Sequence, residues 1–157
     1  MAGRSPAPFT PTQERVGHVV IRAMSAVNVW LYRLSGGRVG GRFRHGAPVL
    51  LLTTVGRKTG ASRVAPLLYL EDGDNLVIVA SKGGMSHHPT WYLNVQAHPD
   101  VEVEVGSERR NMRARTADAA ERSALWPRLV EMYRDYDDYQ ARTERVIPVV
   151  ILSPRPA

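Results

Sequence analysis

Short strand-like segments joined by tight turns constrain the fold of this chain more than any other feature. Each segment is five to eight residues long, and most are bounded by glycine, proline or acidic turn residues. The segments are Val49–Val55, Arg63–Leu70, Leu76–Ser81, Val101–Val105, Arg109–Arg115 and Pro148–Leu152. Six short strands in mostly hairpin connections predict an α+β protein built on a small antiparallel β-barrel, and they argue against a parallel α/β sheet.

The segment Val101–Val105 shows the strand pattern most clearly. Valine alternates with glutamate along it, which predicts one buried face and one solvated face. The following Gly106–Ser107 turn leads into a partner strand at Arg109–Arg115.

Helical periodicity is confined to three parts of the sequence. Apolar residues recur at steps of three and four from Gln13 to Leu34, and Gly36–Gly37 then ends the pattern. Pro89–Ala97 predicts a short helix, and Ala117–Tyr139 predicts a longer one that Pro127 kinks or restarts. A few helices therefore flank the barrel.

The chain divides into three parts on these patterns. Prolines at positions 6, 8 and 11 predict a loose tail over residues 1–12. Residues 13–45 form an amphipathic helical arm, and residues 46–157 form the β-barrel domain. At 157 residues, the whole chain fits one compact core.

Positive charge is concentrated in the arm. The formal net charge is +6, and through Arg44 the chain holds seven arginines against the single acid Glu14. Arginines flank the apolar stripe of the helix, so this surface suits an anionic membrane, although packing of the helix against the barrel is an open alternative. Nucleic acid is disfavoured because the charge lies on an amphipathic helix and no aromatic-basic strand motif is present.

Cysteine content and the length of apolar runs indicate the cellular compartment. The chain has no cysteine, and it has neither a signal-peptide pattern nor an apolar run of 18 residues. A cytoplasmic protein is expected, with peripheral attachment at the inner face of the membrane left open. The adjacent His87 and His88 point in different directions and lack a third ligand, so no metal is predicted.

Two glycine-containing bends carry the only two lysines of the chain. The basic turn, Gly56–Gly60, contains Arg57 and Lys58 and is followed by Arg63, whereas the lysine bend, Ser81–Gly84, contains Lys82. The basic turn leads into a strand and lacks the order of a nucleotide P-loop. Glycine amides and nearby cations indicate an anion nest for a phosphate-bearing ligand; a solvated hairpin tip is the alternative.

Aromatic residues form two further candidate groups. Trp91 and Asn94 lie three residues apart and share a helix face, where Trp91 covers a ligand ring or simply fills the core. Tyr133, Tyr136 and Tyr139 also step by three, which stacks three phenols along one side of a helix. Packing alone would not require their hydroxyl groups, although packing with exposed tips stays an alternative.

Three stretches of the sequence resemble a known family. They are TTVGRKTGASRVAPLLYL, VIVASKGGMSHHPTWYLNVQAHPDVEVEVG and YRDYDDYQARTERVIPVVIL. Together they are similar, over residues 49–153, to the deazaflavin-dependent nitroreductase family of actinobacteria, within the split β-barrel flavin-binding superfamily. The resemblance implies a split β-barrel and the 8-hydroxy-5-deazaflavin coenzyme F420, whose tail carries a phosphodiester and several glutamates.

The resemblance also implies roles for individual residues. Arg57, Lys58 and Arg63 would hold the phosphate and glutamates, with Lys82 assisting. The remaining coenzyme contacts would come from Gly56, Thr59 and Gly60 of the basic turn, from the backbone of Val79, Ala80, Ser81, Lys82 and Gly83, and from Trp91 and Asn94. The acceptor would meet Leu68, Tyr133, Tyr136 and Tyr139, with Tyr136 and Ser81 as the catalytic residues. Leu68 replaces a tyrosine of the best-known member, so reduction of nitroimidazole drugs is not assumed.

The resemblance thus implies an F420-dependent oxidoreductase. Hydride would pass from the reduced coenzyme to a quinone, enone or nitro-type acceptor, with a menaquinone-like compound favoured. An FMN-dependent oxidase of the same superfamily and a non-catalytic deazaflavin carrier are the alternatives. Barrels of this class often pair, so a homodimer is a further expectation.

Overall fold

The computed structural model describes residues 6–156, and within the first helix the side chains of residues 17–25 are not described. The predicted structure of residues 1–5 in the tail therefore lies outside the described residues, as do the side chains of Arg22 and of four apolar-stripe residues, Val19, Val20, Ala23 and Met24. The helices are α1 Pro11–Leu34, α2 Thr90–Ala97, α3 Ala119–Met132 and α4 Asp135–Arg142, with 3-10 turns at Arg44–Gly46 and Lys82–Gly84. The strands are β1 Val49–Val55, β2 Ser62–Leu68, β3 Leu70–Asp72, β4 Asn75–Val79, β5 Asp100–Val105, β6 Glu108–Thr116 and β7 Val149–Pro154.

All the strands of residues 6–156 form a single antiparallel sheet in the order β2-β1-β5-β6-β7-β4-β3. The edge strand β2 also approaches β4, so the sheet curls into a half-open barrel. Each step from β1 through β5, β6 and β7 to β4 reverses direction. Because four reversals separate them, β1 and β4 run the same way, and the bends that follow them lie at the same end of the barrel.

The two faces of the sheet pack against different partners. The inner face encloses a core from all the long strands together with α2; it includes Leu50, Leu52, Leu76, Ile78, Val150 and Leu152. The outer face of β4 and β7 packs under α3 and α4; it includes Val77, Val79, Val149 and Ile151. The period-two alternation of strand side chains separates these two cores. The predicted antiparallel barrel fold is confirmed.

The helix α1 begins with a capping box and is fixed to the barrel near its C-terminal end. Thr10 and Gln13 form a reciprocal capping box at its start, two residues earlier than predicted. Near its end, the Tyr32 hydroxyl donates to the Val49 carbonyl at 3.0 Å and accepts from the Gly106 amide at 2.8 Å.

The carboxylate of Glu104 departs from the predicted alternation of β5. It was expected on the wet face, yet only 6% of the residue is exposed. The Arg33 guanidinium donates to both of its oxygens, the shorter contact being 2.9 Å. The arm covers this position, so the face predicted to be solvated is partly buried by the chain's own helix.

Two predicted elements differ from the structure. The segment Arg63–Leu70 divides at Tyr69 into β2 and β3, which raises the strand count of the described residues from the predicted six to seven. The helix predicted over Ala117–Tyr139 continues through Pro127 and breaks at Tyr133 instead. Pro127 lies on an exposed face, where water can satisfy the carbonyl that loses its helical partner. No helix in the described part of the chain is long and apolar enough to cross a membrane.

Candidate functional site

The basic turn presents its cations to solvent. Arg57, Lys58 and Arg63 are all exposed. Gly56 is buried at the start of the turn, where an added Cβ would lie 2.9 Å from the Thr59 hydroxyl oxygen. The turn is therefore tight at its base and open at its charged tip.

Three backbone amides of the basic turn bind the protein itself. The Gly56 amide donates to the Ala61 carbonyl and the Gly60 amide to the Gly56 carbonyl, both at 2.8 Å. The Arg57 amide donates to Oδ1 of Asn94 at 3.1 Å. These three amides are therefore not free to bind an anion, and the anion site at this turn stays a prediction that depends mainly on its cationic side chains.

Asn94 connects the basic turn to α2 and β1. It is 1% exposed, and its Nδ2 donates to the Thr54 hydroxyl at 3.1 Å while its Oδ1 receives the Arg57 amide. Both ends of this amide side chain thus bind the protein and set the position of the turn. Direct contact of Asn94 with the coenzyme stays a prediction.

Trp91 belongs to the inner core. It is 8% exposed and packs edge-on against Tyr92, with ring centroids 6.1 Å apart. Its predicted part in closing the coenzyme groove stays untested, and the contacts seen here are those of a core residue.

The lysine bend follows β4 and has an unusual backbone. Ser81 is right-handed, whereas Lys82 and Gly83 are left-handed, with φ angles of 46° and 63°. A left-handed lysine is strained relative to glycine. Non-glycine strain of this kind concentrates at functional sites, where the surrounding structure maintains it.

The bend packs tightly against α4. A Cβ added to Gly84 would lie 2.5 Å from the Tyr139 carbonyl oxygen and 2.9 Å from its Cα. Glycine at position 84 thus lets the lysine bend touch the backbone of the helix that carries two of the three tyrosines.

The N-terminal end of α1 reaches the loop after the lysine bend. The Glu14 carboxylate accepts from the Ser86 amide at 2.7 Å and from the Ser86 hydroxyl at 2.9 Å. Donation by the Ser86 amide lowers the pKa of Glu14. Burial lowers the pKa of Lys82, an effect that the nearby Glu14 opposes and Arg145 reinforces.

The three tyrosines form one aromatic cluster. Ring centroids of Tyr133 and Tyr136 lie 5.1 Å apart, and the hydroxyls of Tyr133 and Tyr139 are hydrogen-bonded at 3.1 Å. Tyr133 and Tyr136 are buried, whereas Tyr139 is partly exposed. Burial raises the pKa of both Tyr133 and Tyr136, so these phenols stay protonated hydrogen-bond donors over the physiological range.

Leu68 lies at the far end of β2 and joins two apolar clusters. It packs against the outer cluster that includes Tyr133 and Tyr136, and against the cluster of Tyr32, Val49 and Leu51. A cleft of about 310 Å³ opens beside it, bounded by the arm and by Phe43. The Phe43 ring lies 5.9 Å from the ring of Tyr133, so this cleft is adjacent to the tyrosines.

Sequence reasoning missed four residues that shape this region: Glu14, Phe43, Arg142 and Arg145. Glu14 is the only acid of the arm, which is a signal that charge counting alone could have raised. Arg142 and Arg145 lie in the third family-like stretch, directly after the tyrosines. No group of three or more potential metal-ligating side chains occurs among the residues whose side chains are described.

A curled antiparallel barrel with cation-bearing bends at one end places the protein among the split β-barrel proteins of the flavin-binding type. A solved structure described as an F420-H2 dependent reductase, FDR-A, is 42% identical with a TM-score of 0.63; the match covers 68% of this chain and 94% of that chain. A second, described as a domain-swapped dimer, is 35% identical with a TM-score of 0.66, over 92% and 100% of the two chains.

Sequence comparison identifies the family. The pattern of the F420H(2)-dependent quinone reductase family matches residues 24–154. An F420H(2)-dependent quinone reductase of Mycobacterium tuberculosis is 40% identical over 146 residues, covering 91% of this chain and 95% of the relative. The chain belongs to the F420H(2)-dependent quinone reductase family, an enzyme family whose coenzyme is F420, and the predicted relationship is confirmed.

Proposed function

We propose that this protein reduces a quinone with hydride from F420H2, holding the coenzyme across the basic turn and the lysine bend. The observation that carries the proposal is the placement of both cation-bearing bends at one end of the barrel, with the tyrosine cluster packed against the second. The overall reaction, F420H2 plus quinone giving F420 plus hydroquinone, balances in atoms and electrons.

The exposed cations fit the anionic tail of the coenzyme. Arg57, Lys58 and Arg63 project into solvent, so a phosphodiester and glutamates can reach them without displacing buried groups. Lys82 supplies a further ammonium at the neighbouring bend. Guanidinium groups bind phosphate and carboxylate in a bidentate way, and lysine acts as a point charge.

Strand β2 carries one residue assigned to the coenzyme tail and one assigned to the acceptor. Arg63 and Leu68 lie on the same strand, five residues apart, which corresponds to roughly 17 Å at about 3.3 Å per residue. Arg63 is assigned to the tail and Leu68 to the acceptor. The odd separation directs the two side chains to opposite faces of the strand, so Arg63 and Leu68 mark the two ends of β2 without lining the same face of it.

The tyrosines provide the donors that quinone reduction requires. When bound, F420H2 supplies the hydride from C5 of its ring. Negative charge then develops on the acceptor oxygen, and a phenol hydroxyl donates a hydrogen bond to it. We assign this donation to Tyr136, with Tyr139 at the more accessible edge of the cluster and Ser81 as the second catalytic residue. The raised pKa values of the buried phenols keep these donors protonated.

A turnover assay tests the proposed reaction. The protein is mixed with F420H2 and menadione, and the absorbance of oxidised F420 is followed. We expect enzyme-dependent oxidation in proportion to protein concentration. Tight binding of F420 without oxidation would support a carrier instead, and a yellow protein that oxidises substrates with bound FMN would support the FMN-dependent alternative.

Charge reversal tests the tail assignment. Arg57→Glu combined with Lys58→Glu should raise the Kd for F420 at least about tenfold at low salt, because two charge-assisted contacts become repulsive. The matched control reverses Arg38 and Arg155, two exposed arginines outside the proposed site. An unchanged Kd in the Arg57 and Lys58 variant would remove the basis of the coenzyme assignment.

We further propose that the outward face of α1 contacts an anionic membrane. Val16, Val27, Trp30 and Leu34 are all exposed, with Trp30 62% exposed. At 100° per residue these four fall within a sector of about 60°. Tyr32, which contacts the barrel, projects about 170° from the centre of this sector.

Charge favours a lipid surface over a second copy of this chain. The arm through Arg44 carries seven arginines against one acid, so two arms would repel each other, whereas anionic headgroups attract them. An apolar stripe flanked by arginines is the pattern of an interfacial helix. The solved relative described as a domain-swapped dimer makes self-association the competing outcome.

Flotation with liposomes separates these outcomes. Trp30→Glu combined with Leu34→Glu should abolish flotation with anionic vesicles, because it places acids on the apolar face. Val146→Glu is the control, since Val146 is equally apolar and 66% exposed but lies outside the helix. A wild-type protein that sediments as a dimer and does not float would assign the face to a second copy and refute membrane contact.

A further inference from the structure

Arg145 lies in the segment between α4 and β7, and its side chain binds the lysine bend and the residues on either side of it. Its Nε donates to the Met85 carbonyl at 2.9 Å, and its Nη2 donates to the Ser81 carbonyl at 2.7 Å. Its Nη1 lies 3.2 Å from the Ala80 carbonyl and 3.2 Å from Nδ1 of His88. One planar guanidinium therefore binds four acceptors in a single nine-residue stretch.

These contacts fix the direction of two peptide units. In a trans peptide the carbonyl and the following amide point in opposite directions. No cis peptide bond occurs in the described residues. Because the carbonyls of Ala80 and Ser81 face Arg145, the amides of Ser81 and Lys82 face away from it. Arg145 thereby determines which groups the bend presents on its opposite side.

The same contacts support the strained backbone of the bend. Lys82 and the next residue, Gly83, are both left-handed, and the lysine costs roughly 1 kcal/mol or more relative to glycine. Arg145 holds a carbonyl on each side of this pair, at Ser81 and at Met85. Loss of the guanidinium would let the lysine relax to a right-handed or extended conformation.

A second arginine, at the end of the helix that carries Tyr136 and Tyr139, also binds the lysine bend. The Arg142 Nη1 donates to the Gly83 carbonyl at 3.3 Å, and its guanidinium stacks over the Phe9 ring at 4.3 Å. Gly84 meanwhile touches the backbone of Tyr139. The segment that carries the tyrosines therefore also holds the bend, which fixes the spacing between the two.

We propose that Arg145 is a positioning residue for hydride transfer, which sets the lysine bend relative to the tyrosine cluster without touching coenzyme or acceptor. This inference rests on the proposed quinone reductase function. Misplacement of reacting groups by about 1 Å can cost about 100-fold in rate. Lysine cannot reproduce the effect, because one ammonium lacks the planar fork that binds several carbonyls at once.

The test compares Arg145→Ala and Arg145→Lys with wild type in single-turnover oxidation of F420H2 by menadione. We expect both variants to lose the hydride-transfer rate by about 10- to 100-fold, with a much smaller change in KM for menadione. Millimolar guanidinium should restore part of the rate of Arg145→Ala. Methylammonium, a cation without the planar fork, should not restore it.

Controls separate positioning from stability. Arg128→Ala removes an exposed arginine paired with Asp72, away from the bend, and should leave the rate unchanged. Circular dichroism checks folding, and Arg145→Lys carries the test if Arg145→Ala does not fold. A wild-type rate in Arg145→Lys, or a rate loss in Arg145→Ala that guanidinium does not relieve, would overturn the proposal.

A separate readout distinguishes this proposal from the proposed function. If wild type binds F420 without oxidising it, the reductase function fails, whereas the absorbance spectrum of bound F420 still reports the geometry of the bend. Arg145→Lys should then shift that spectrum relative to wild type. An identical spectrum would overturn the role of Arg145 independently of turnover.

Discussion

Replacement of Asn94 by alanine tests whether a buried amide sets the position of the basic turn. Asn94 is 1% exposed and makes hydrogen bonds to the Thr54 hydroxyl and from the Arg57 amide, both at 3.1 Å. Each such bond contributes about 0.5–1.5 kcal/mol net, and burial of an unpaired group adds to the loss. We therefore expect Asn94→Ala to lower the free energy of unfolding by about 2–3 kcal/mol, a fall in Tm of roughly 4–12 °C.

The same change should weaken coenzyme binding, because the cations of the turn lose their fixed position. The cost of ordering one such segment on binding is about 1 kcal/mol, which corresponds to a roughly fivefold rise in Kd for F420. Urea unfolding measures the stability, and titration of the protein with F420 measures the affinity. Both are measured on the same preparation.

Thr54→Val provides the matched control. It removes the partner of Nδ2 and leaves the bond between Asn94 and the Arg57 amide in place, so stability should fall by about 1 kcal/mol with no change in affinity. If Asn94→Ala and Thr54→Val lower stability alike and neither alters the Kd for F420, Asn94 has no part in positioning the turn and the reasoning fails.

Three further predictions concern other parts of the structure. Gly84→Ala should destabilise the fold by clearly more than Gly83→Ala in thermal unfolding, because both positions are left-handed but only an added Cβ at 84 would meet another backbone, at 2.5 Å. Glu104→Gln should lower the free energy of unfolding in urea by roughly 1–2 kcal/mol, since it weakens the bidentate pair with the half-exposed Arg33. Burial lowers the pKa of His88, so the unfolded state binds a proton at a higher pH than the folded state does. Lowering the pH below the ordinary value of 6.5 should therefore reduce the free energy of unfolding. His88→Gln should reduce that slope in urea titrations between about pH 5 and 6.5.

The fold was largely predictable from local pattern. Alternation in β5 and the glycine turns gave the strands and their antiparallel pairing, because period-two burial and tight turns are decided by neighbouring residues. The division at Tyr69 was not predictable in this way. Leu68 and Leu70 both read as strand, and only the pairing of β2 with β1 and of β3 with β4 separates them.

Long-range contacts account for most of what the sequence did not reveal. The carboxylate of Glu104 is polar and alternates correctly, yet it is buried because Arg33, 71 residues earlier, lies over it. Arg145 read as an ordinary charged residue, since three of its four acceptors are carbonyls 60 to 65 residues away. Backbone acceptors carry no sequence signature, so no spacing rule could identify such a residue.

The basic turn illustrates a partial success. Its composition correctly predicted a tight hairpin with exposed cations between β1 and β2. It did not reveal that the Arg57 amide is already bonded, because its acceptor is Asn94 on a separate helix. Side-chain exposure followed from local sequence, whereas amide availability depended on tertiary packing.

The distribution of acids around the two bends gives the proposed groove a direction. Glu14, the only acid of the arm, binds the Ser86 loop and acts electrostatically on Lys82. This carboxylate would repel the glutamates of the coenzyme tail if the tail lay at the lysine bend. Among the described residues, no ion pair involves Arg57 or Lys58. The charge of Lys82 is partly offset by Glu14, whereas no described ion pair offsets Arg57 or Lys58. The glutamate tail should therefore extend toward the basic turn and leave the less charged ring beside the lysine bend and the tyrosines.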